Sequence, residues 1–292
     1  MKPAPFEYWS PTSVDEAVKV LSGLDDPGDA KVMAGGQSLM PLLNLRLSQP
    51  LHVVDLNAVD GVSGVTRSGD TLTVGAMCRQ RVAERSPDVL AAVPLIVEAL
   101  GQVGHPAIRN RGTVGGSIAH ADPAAELPTV ALCLDAEMVA HGPAGERTVP
   151  AAAFFDGFLS TALTEEEVLT AVRFPADGPG CGSAFAEVAR RHGDFAMAGV
   201  AVHLRLDGDV IAEARVAVSG VALTPVRASE AEALLRGATA GEEAFAAAAA
   251  ATSAALSPAT DLHASGAYRK HIAGVLVRNA LTTATDRARR NR

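Results

Sequence analysis

The sequence predicts an α+β protein in two domains, a mixed first part and a second part built on an antiparallel sheet backed by helices. Two observations carry that prediction. A strand, a glycine loop, a helix and a second strand follow one another between Lys31 and Leu56. Beyond the linker Asp177–Gly182 (DGPGCG), three stretches with strand-like alternation are followed by three helical ones. At 292 residues the chain is long enough for each part to bury a core of its own.

Taken in order, Pro11–Leu21 is a helix: Ser13 and Glu16 have the spacing of a capping box, and Val14, Ala17, Val18 and Leu21 share one face. Lys31–Ala34 is a short strand, followed by Gly35-Gly36 and a helix over Ser38–Arg46 that tolerates Pro41 in its first turn. Leu51–Leu56 (LHVVDL) is a buried strand, and the intervening helix favours parallel pairing with the first. Val62–Gly75 holds two short strands around the turn Arg67-Ser68-Gly69-Asp70. Ser86–Ala99 reads as one helix with proline at its first position. A glycine-rich segment from Gly104 then leads to a helix at Leu127–Leu134, with further strands at Ala136–Ala140 and Glu167–Phe174. In the second domain Ser183–Arg190, Ala198–Leu206 and Val210–Gly220 are antiparallel strands, the last two joined at Asp207-Gly208-Asp209. Ser229–Leu235 (stopped by Gly237), Gly241–Leu256 and Gly266–Arg287 are the closing helices. No internal repeat is visible.

Composition removes several classes of function. A net charge of −8 (25 basic against 33 acidic residues) gives no general attraction to nucleic acid or to an anionic membrane. The apolar run Ala244–Ala251 is too short and too weakly hydrophobic to span a bilayer, and the start of the chain lacks a signal-peptide pattern, so a cytoplasmic protein is expected. Cys78, Cys133 and Cys181 lie far apart, which leaves no disulfide scaffold, no paired-cysteine metal site and no four-thiolate cluster. The eight histidines include no metal-binding spacing, and no metal is expected. No catalytic triad or acid–base pair can be named.

Two glycine pairs remain. Met33-Ala34-Gly35-Gly36-Gln37-Ser38 lies between a strand and a helix, where glycine lets the backbone approach a ligand and where helix-start N–H groups suit a phosphate. The pattern fits an ordinary tight turn equally well. Thr113-Val114-Gly115-Gly116-Ser117 repeats the pair between hydroxyl-bearing residues, with Asp122 and Glu126 close behind. Those carboxylates could accept from ribose or ribityl hydroxyls, or could cap a helix beginning near Pro123; the two roles are compatible. Neither loop has the Gly-x-Gly-x-x-Gly spacing of a Rossmann site, which disfavours plain NAD binding.

AGGQSLMPLLNLR together with RNRGTVGGSIAHADPAAELP resembles the FAD-binding medium subunit of molybdenum hydroxylases, the group that includes carbon monoxide dehydrogenase, xanthine dehydrogenase and quinoline oxidoreductase. FEYWSPTSVDEAVKVL, SAFAEVARRHGDFAMAGVA, TPVRASEAEALL and YRKHIAGVLVRNAL extend the resemblance over nearly the whole chain. It implies a PCMH-type FAD-binding domain over residues 1–176, in subdomains of about 1–60 and 61–176, and a C-terminal domain of the carbon monoxide dehydrogenase flavoprotein type over 183–292. It further implies that the backbone of Val32, Met33, Ala34, Gly35, Gly36, Gln37, Ser38 and Leu39, and of Thr113, Val114, Gly115, Gly116 and Ser117, surrounds the FAD pyrophosphate and ribityl chain. Glu126 takes the place of a carboxylate contacting the flavin chain, and Asp122 belongs to the same motif. Leu169 matches a position whose backbone touches the cofactor, and Gly193-Asp194-Phe195 matches a loop near the isoalloxazine face. Some relatives carry tyrosine where this chain has Phe195, and xanthine dehydrogenases place a lysine near the ring where this chain has Ala186. The missing hydroxyl removes any hydrogen bond at Phe195, and the missing positive charge at Ala186 weakens the case for NAD as acceptor.

The same resemblance puts molybdopterin and the [2Fe–2S] clusters on partner chains, a large and a small subunit, assembled as a dimer of heterotrimers. Electrons would pass from those clusters to FAD and on to an external acceptor. A stand-alone FAD oxidoreductase acting on a small molecule is the alternative; a scaffold that has lost its cofactor is disfavoured by the intact glycine pairs. His120, His192, Trp9, Tyr8, Arg109, Arg111 and the tail arginines 287, 289, 290 and 292 have ordinary structural readings beside any functional one.

Overall fold

The computed structural model describes residues 2–292 and builds the chain as alternating layers of sheet and helix. β1 (Glu7–Trp9), α1 (Val14–Ser22), β2 (Ala30–Met33), α2 (Leu39–Asn44) and β3 (His52–Asp55) make a small sheet in the order β1-β3-β2. Both of its pairings are parallel, as the intervening helices require. Ser13 caps α1 by accepting from the Glu16 N–H, and Ala17, Val18 and Leu21 bury against Val54 and Leu56. The three-residue β1 carries too little pattern to be read from sequence.

The next stretch runs β4 (Val65–Ser68), β5 (Thr71–Gly75), α3 (Gln80–Arg85), α4 (Pro87–Ala92), α5 (Pro94–Gln102), α6 (Pro106–Arg111), α7 (Val114–His120) and α8 (Glu126–Cys133). It continues with β6 (Glu137–Gly142), β7 (Gly145–Pro150), α9 (Ala151–Phe154), β8 (Phe155–Gly157), β9 (Ser160–Thr161) and β10 (Val168–Pro175). Five of these strands form an antiparallel sheet, β4-β5-β10-β6-β7; β8 and β9 pair separately. The helix expected over Ser86–Ala99 is two helices. Val93 leaves the helical region at φ −146°, because the ring of Pro94 crowds the residue before it. The glycine-rich segment, for which no helix is expected, folds as α6 and α7, each started by an extended residue at its N-cap.

β11 (Cys181–Val188), β12 (Ala198–Asp207), β13 (Val210–Ser219) and β14 (Val226–Arg227) form the last sheet in sequence order, followed by α10 (Ser229–Leu235), α11 (Glu242–Ala255) and α12 (Gly266–Arg290). Its two faces have different partners. Val200, Val202, Val216 and Val218 bury under α11 and α12. Phe185, Ala201 and Ala217 point the other way and join Leu95, Ile96, Leu127 and Val130 of α5 and α8 in one core. α5 and α8 are thus held between the five-stranded and four-stranded sheets. Among the described residues no helix is long and apolar enough to cross a membrane.

The linker is tied on both sides. Asp177 donates its N–H to Ala92 O (2.8 Å), and its carboxylate meets His203 Nε2 of β12 at 3.0 Å. Asn291, just past α12, donates to Gly178 O (3.2 Å) and Cys181 O (3.1 Å) and accepts from the Gly180 N–H (2.9 Å). Arg287 joins Glu98 (2.5 Å) and Ser183 O (2.6 Å) across the domains.

Candidate cofactor-binding site

The first glycine loop opens where β2 ends at Met33 and closes where α2 begins at Leu39. Gly36 turns the chain with φ +71°, a region that favours glycine. Ser38 makes no side-chain cap, and the N–H groups of Gly35, Gly36, Gln37, Ser38 and Leu39 find no acceptor among the described residues. Five successive unpaired donors at a helix start form an anion-binding concavity. Gln37 Nε2 donates back to Gly35 O at 3.1 Å and steadies the loop.

The second loop is packed directly against the first. A Cβ on Gly35 would collide with Arg111 O and Gly112 Cα; one on Gly116 would stand 3.1 Å from Ala34 Cβ and 3.9 Å from Gly35 N. Side chains at either position would part the loops. A polar strut holds them together from behind. Asn57 Nδ2 donates to Ala34 O (2.9 Å), Arg79 Nη2 donates to Asn57 Oδ1 (2.6 Å), and Arg79 Nη1 donates to Arg111 O (2.5 Å). Asp55 anchors this strut, accepting from the Asn57 N–H (2.8 Å) and the Tyr8 hydroxyl (2.6 Å). Burial, and then the charge of Arg111, lower the pKa of Arg79; that of Asp55 opposes them.

The donors of the second loop are used differently from those of the first. Thr113 caps α7 by accepting from the Gly116 N–H at 3.0 Å, and Ser117 N donates to Thr113 O at 3.2 Å. Val114 N donates to Cys78 O (2.9 Å) and Gly115 N to Ala76 O (2.8 Å). The Val114–Ser117 amides therefore all have internal partners, whereas the resemblance implied a second set of bare donors. What this loop offers outward is the half-buried Ser117 side chain, while the missing Cβ of Gly116 lets Thr113 Oγ1 and Ala34 close in. Gly115 serves packing, because a Cβ there would strike Ala76.

The other residues singled out in the sequence fall into three groups. Val32 and Met33 are half-buried at the end of β2, leading into the first loop. Leu169 is buried beside a register shift in β10, and the adjacent Thr170 O accepts from Ala76 N, so this strand backs the Gly115 packing. Asp122 makes an Asx-type turn to the Ala124 N–H (2.8 Å), and α8 begins only at Glu126. Glu126 is raised to a pKa of about 8, first by burial and then by the neighbouring Glu187 carboxylate. Asp194 and Phe195 lie exposed in the β11–β12 hairpin. That hairpin is seated on the α5–α6 turn: a Cβ on Gly193 would meet Gly104 and His105 at 3.0 Å.

Arg109 is buried and spent on Glu84 (3.0 Å) and on the Val103 and Gly104 carbonyls. Trp9 Nε1 bonds His52 Nδ1 (3.3 Å), which with Tyr8–Asp55 pins β1 to β3. Burial lowers His120, and Asp122 raises it in part. Among the described residues no cluster of His, Cys, Asp or Glu could hold a metal ion. Asn57 and Arg79 escaped the sequence reading, since neither belongs to a spaced motif.

Comparison with known proteins covers the chain from end to end. The family model described as "FAD binding domain in molybdopterin dehydrogenase" matches residues 4–177, and that of the "CO dehydrogenase flavoprotein C-terminal domain" matches 183–284. The chain is 41% identical to the carbon monoxide dehydrogenase medium chain of Hydrogenophaga pseudoflava, covering 98% of this chain and 99% of that one. It is 40% identical to the 6-hydroxypseudooxynicotine dehydrogenase complex subunit alpha of Paenarthrobacter nicotinovorans, covering 99% and 97%. A solved carbon monoxide dehydrogenase from Hydrogenophaga pseudoflava, lacking the Mo-pyranopterin moiety, superposes with a TM-score of 0.96 at 42% identity over 98% of this chain and 99% of that one.

Proposed function

This chain belongs to the FAD-binding medium subunits of the molybdenum hydroxylases, and from that membership we propose that it carries FAD in such a complex, taking electrons from iron–sulfur clusters on a partner subunit and delivering them to an external acceptor. The observation that carries this reading is the row of unpaired N–H groups from Gly35 to Leu39, held in place by close packing of Ala34 and Gly35 against the second loop. A pyrophosphate is an anion with many acceptor oxygens, and such a row satisfies it without a lysine or arginine. The site residues proposed from the family pattern are Val32–Leu39, Thr113–Ser117, Asp122, Glu126, Leu169, Asp194 and Phe195.

When bound, a flavin supplies the ability to gain two electrons and to exchange them singly. The chain's own part is to bind and orient it. The Gly35–Leu39 amides hold negative charge, while Gly35 and Gly116, carrying no Cβ, let the two loops close on each other. Glu126 is neutral at slightly acidic pH and can both donate and accept a hydrogen bond. No residue of this chain is assigned an acid–base step.

The domains proposed are 1–176 for cofactor binding and 183–292 for the C-terminal unit. The partners proposed are a small [2Fe–2S] subunit and a large molybdopterin subunit, as a dimer of heterotrimers in the cytoplasm. The two relatives are named as a chain and a subunit of larger enzymes, which favours a complex over a stand-alone enzyme. Co-purification from the native host tests this. FAD should accompany the chain's complex in stoichiometric amount, with molybdenum and iron present only when the partner chains are. Iron on the isolated chain, or a complex without flavin, would contradict it.

A further inference from the structure

Three strands of the second domain place Glu187, Gly199 and Ser219 side by side: Glu187 of β11 opposes Gly199 of β12, and Gly199 opposes Ser219 of β13. Directly opposed residues share one face of a sheet. The middle position has no side chain. A Cβ there would lie 2.5 Å from Ser219 Oγ and 3.5 Å from both Glu187 Cβ and the Phe185 ring. The row is therefore a shallow notch that the Ser219 hydroxyl partly fills, with the Glu187 carboxyl at its other end. Glu187 Oε2 and Ser219 Oγ are both buried, and neither has a hydrogen-bond partner.

The direction of the notch follows from its neighbours. Phe185, Ala201 and Ala217, two residues away on the same face, pack with Leu127 and Val130 of α8. Just past β13, Gly220 N donates to Pro123 O at 2.8 Å. The notch therefore faces the start of α8, where Glu126 stands. Burial raises Glu187 to a pKa of about 7, and Glu126 to about 8 with help from the Glu187 charge, so both hold protons in mildly acidic solution. α7, seven residues long, runs between the second glycine loop and the turn that enters α8, a span of about 10 Å.

Buried polar atoms in folded proteins are almost always satisfied, so two orphans on one face of the sheet call for a partner that the chain itself does not supply. A protonated carboxyl and a hydroxyl each donate and accept. Where they ionise, these carboxyls repel a phosphate; where they hold protons, they suit a neutral polar group. We propose that Glu187 and Ser219, opposed across Gly199 and facing Glu126, belong to the flavin site and receive a neutral hydrogen-bonding group of the cofactor rather than its phosphates. Glu187 is here a positioning residue. This inference rests on the FAD reading above.

The test uses the complex purified with its partner subunits, stripped of flavin and titrated with FAD and, separately, with ADP, which keeps the pyrophosphate but has no flavin. Glu187→Ala, Ser219→Ala and Gly199→Ala should each weaken FAD binding by about tenfold, the worth of one lost hydrogen bond. Glu187→Gln should bind FAD nearly as the parent does, and ADP affinity should be unchanged throughout. Ser219→Ala removes a single oxygen, so it decides the matter even if Gly199→Ala fails to fold. Unchanged FAD affinity with an altered melting temperature would show that the notch holds only internal water, and would overturn the inference while leaving the FAD reading intact. A parent complex that takes up no FAD would overturn both.

Discussion

Gly35 packs its bare Cα on Arg111 and Gly112, and Gly116 packs its own on Thr113 and Ala34, and this closeness makes single substitutions informative. Gly116→Val should abolish flavin retention, because a branched side chain must push Ala34 and Thr113 away; flavin absorbance per folded chain measures it. Gly35→Ala drives a Cβ into the Arg111 carbonyl, and a loss of about 1–3 kcal/mol is expected in chemical unfolding. Arg79→Met should separate the loops more gently: it removes two hydrogen bonds from a charged donor, to Asn57 and to Arg111 O, for about 2 kcal/mol of stability and weaker FAD binding. Wild-type flavin affinity in Arg79→Met would show that the strut is idle. The glycine pairs were legible as a site only through their flanking motifs, since glycines between a strand and a helix fit an ordinary tight turn equally well. Asn57 and Arg79 were not legible, since a lone amide and a lone guanidinium acquire their role only once β3 and the α3 approach lie side by side.

Among the elements, the two loops show how similar motifs end in different chemistry. β2 ends at Met33 and α2 starts without a cap, so the intervening N–H groups stay free. α7 starts after Thr113, and its own first residues, Val114 and Gly115, donate to Cys78 O and Ala76 O, so its amides are consumed. The sequence motifs look alike; only the neighbouring strand distinguishes them. The break at Val93 was likewise hidden, because proline at a first helical turn and proline between two helices differ only in what packs around them. The β12–linker junction yields a pH prediction. Burial pulls His203 down, but its bond to Asp177 and the nearby Cys181 outweigh this and raise it to about 9. An unfolded histidine titrates near 6.5, so the stabilisation is complete below about pH 6.5 and is lost as pH rises through about 9. Relative to His203→Gln, the parent chain should lose melting temperature between about pH 7 and about pH 10. A constant difference over that range would refute the assignment.

On the scale of the whole molecule, the second domain is not an appendage. Phe185, Ala201 and Ala217 belong to the same core as α5 and α8, and Arg227 reaches back from β14 to Asp135 (2.6 Å) and Leu132 O (3.1 Å). Calorimetry should therefore record one cooperative transition; two resolved transitions would mean that the shared core is weaker than its burial implies. The order of strands and helices was readable because apolar periodicity repeats over whole elements, whereas the sandwiching of α5 and α8 depends on residues too far apart for any window to join. The final turn of α12 and Asn291 close over the linker from its far side. A ribosome must therefore extend the chain past Asn291 before the linker is sealed. Translation stalled short of Arg287 would leave the stretch 177–182 open to proteases, however well the earlier layers had already folded.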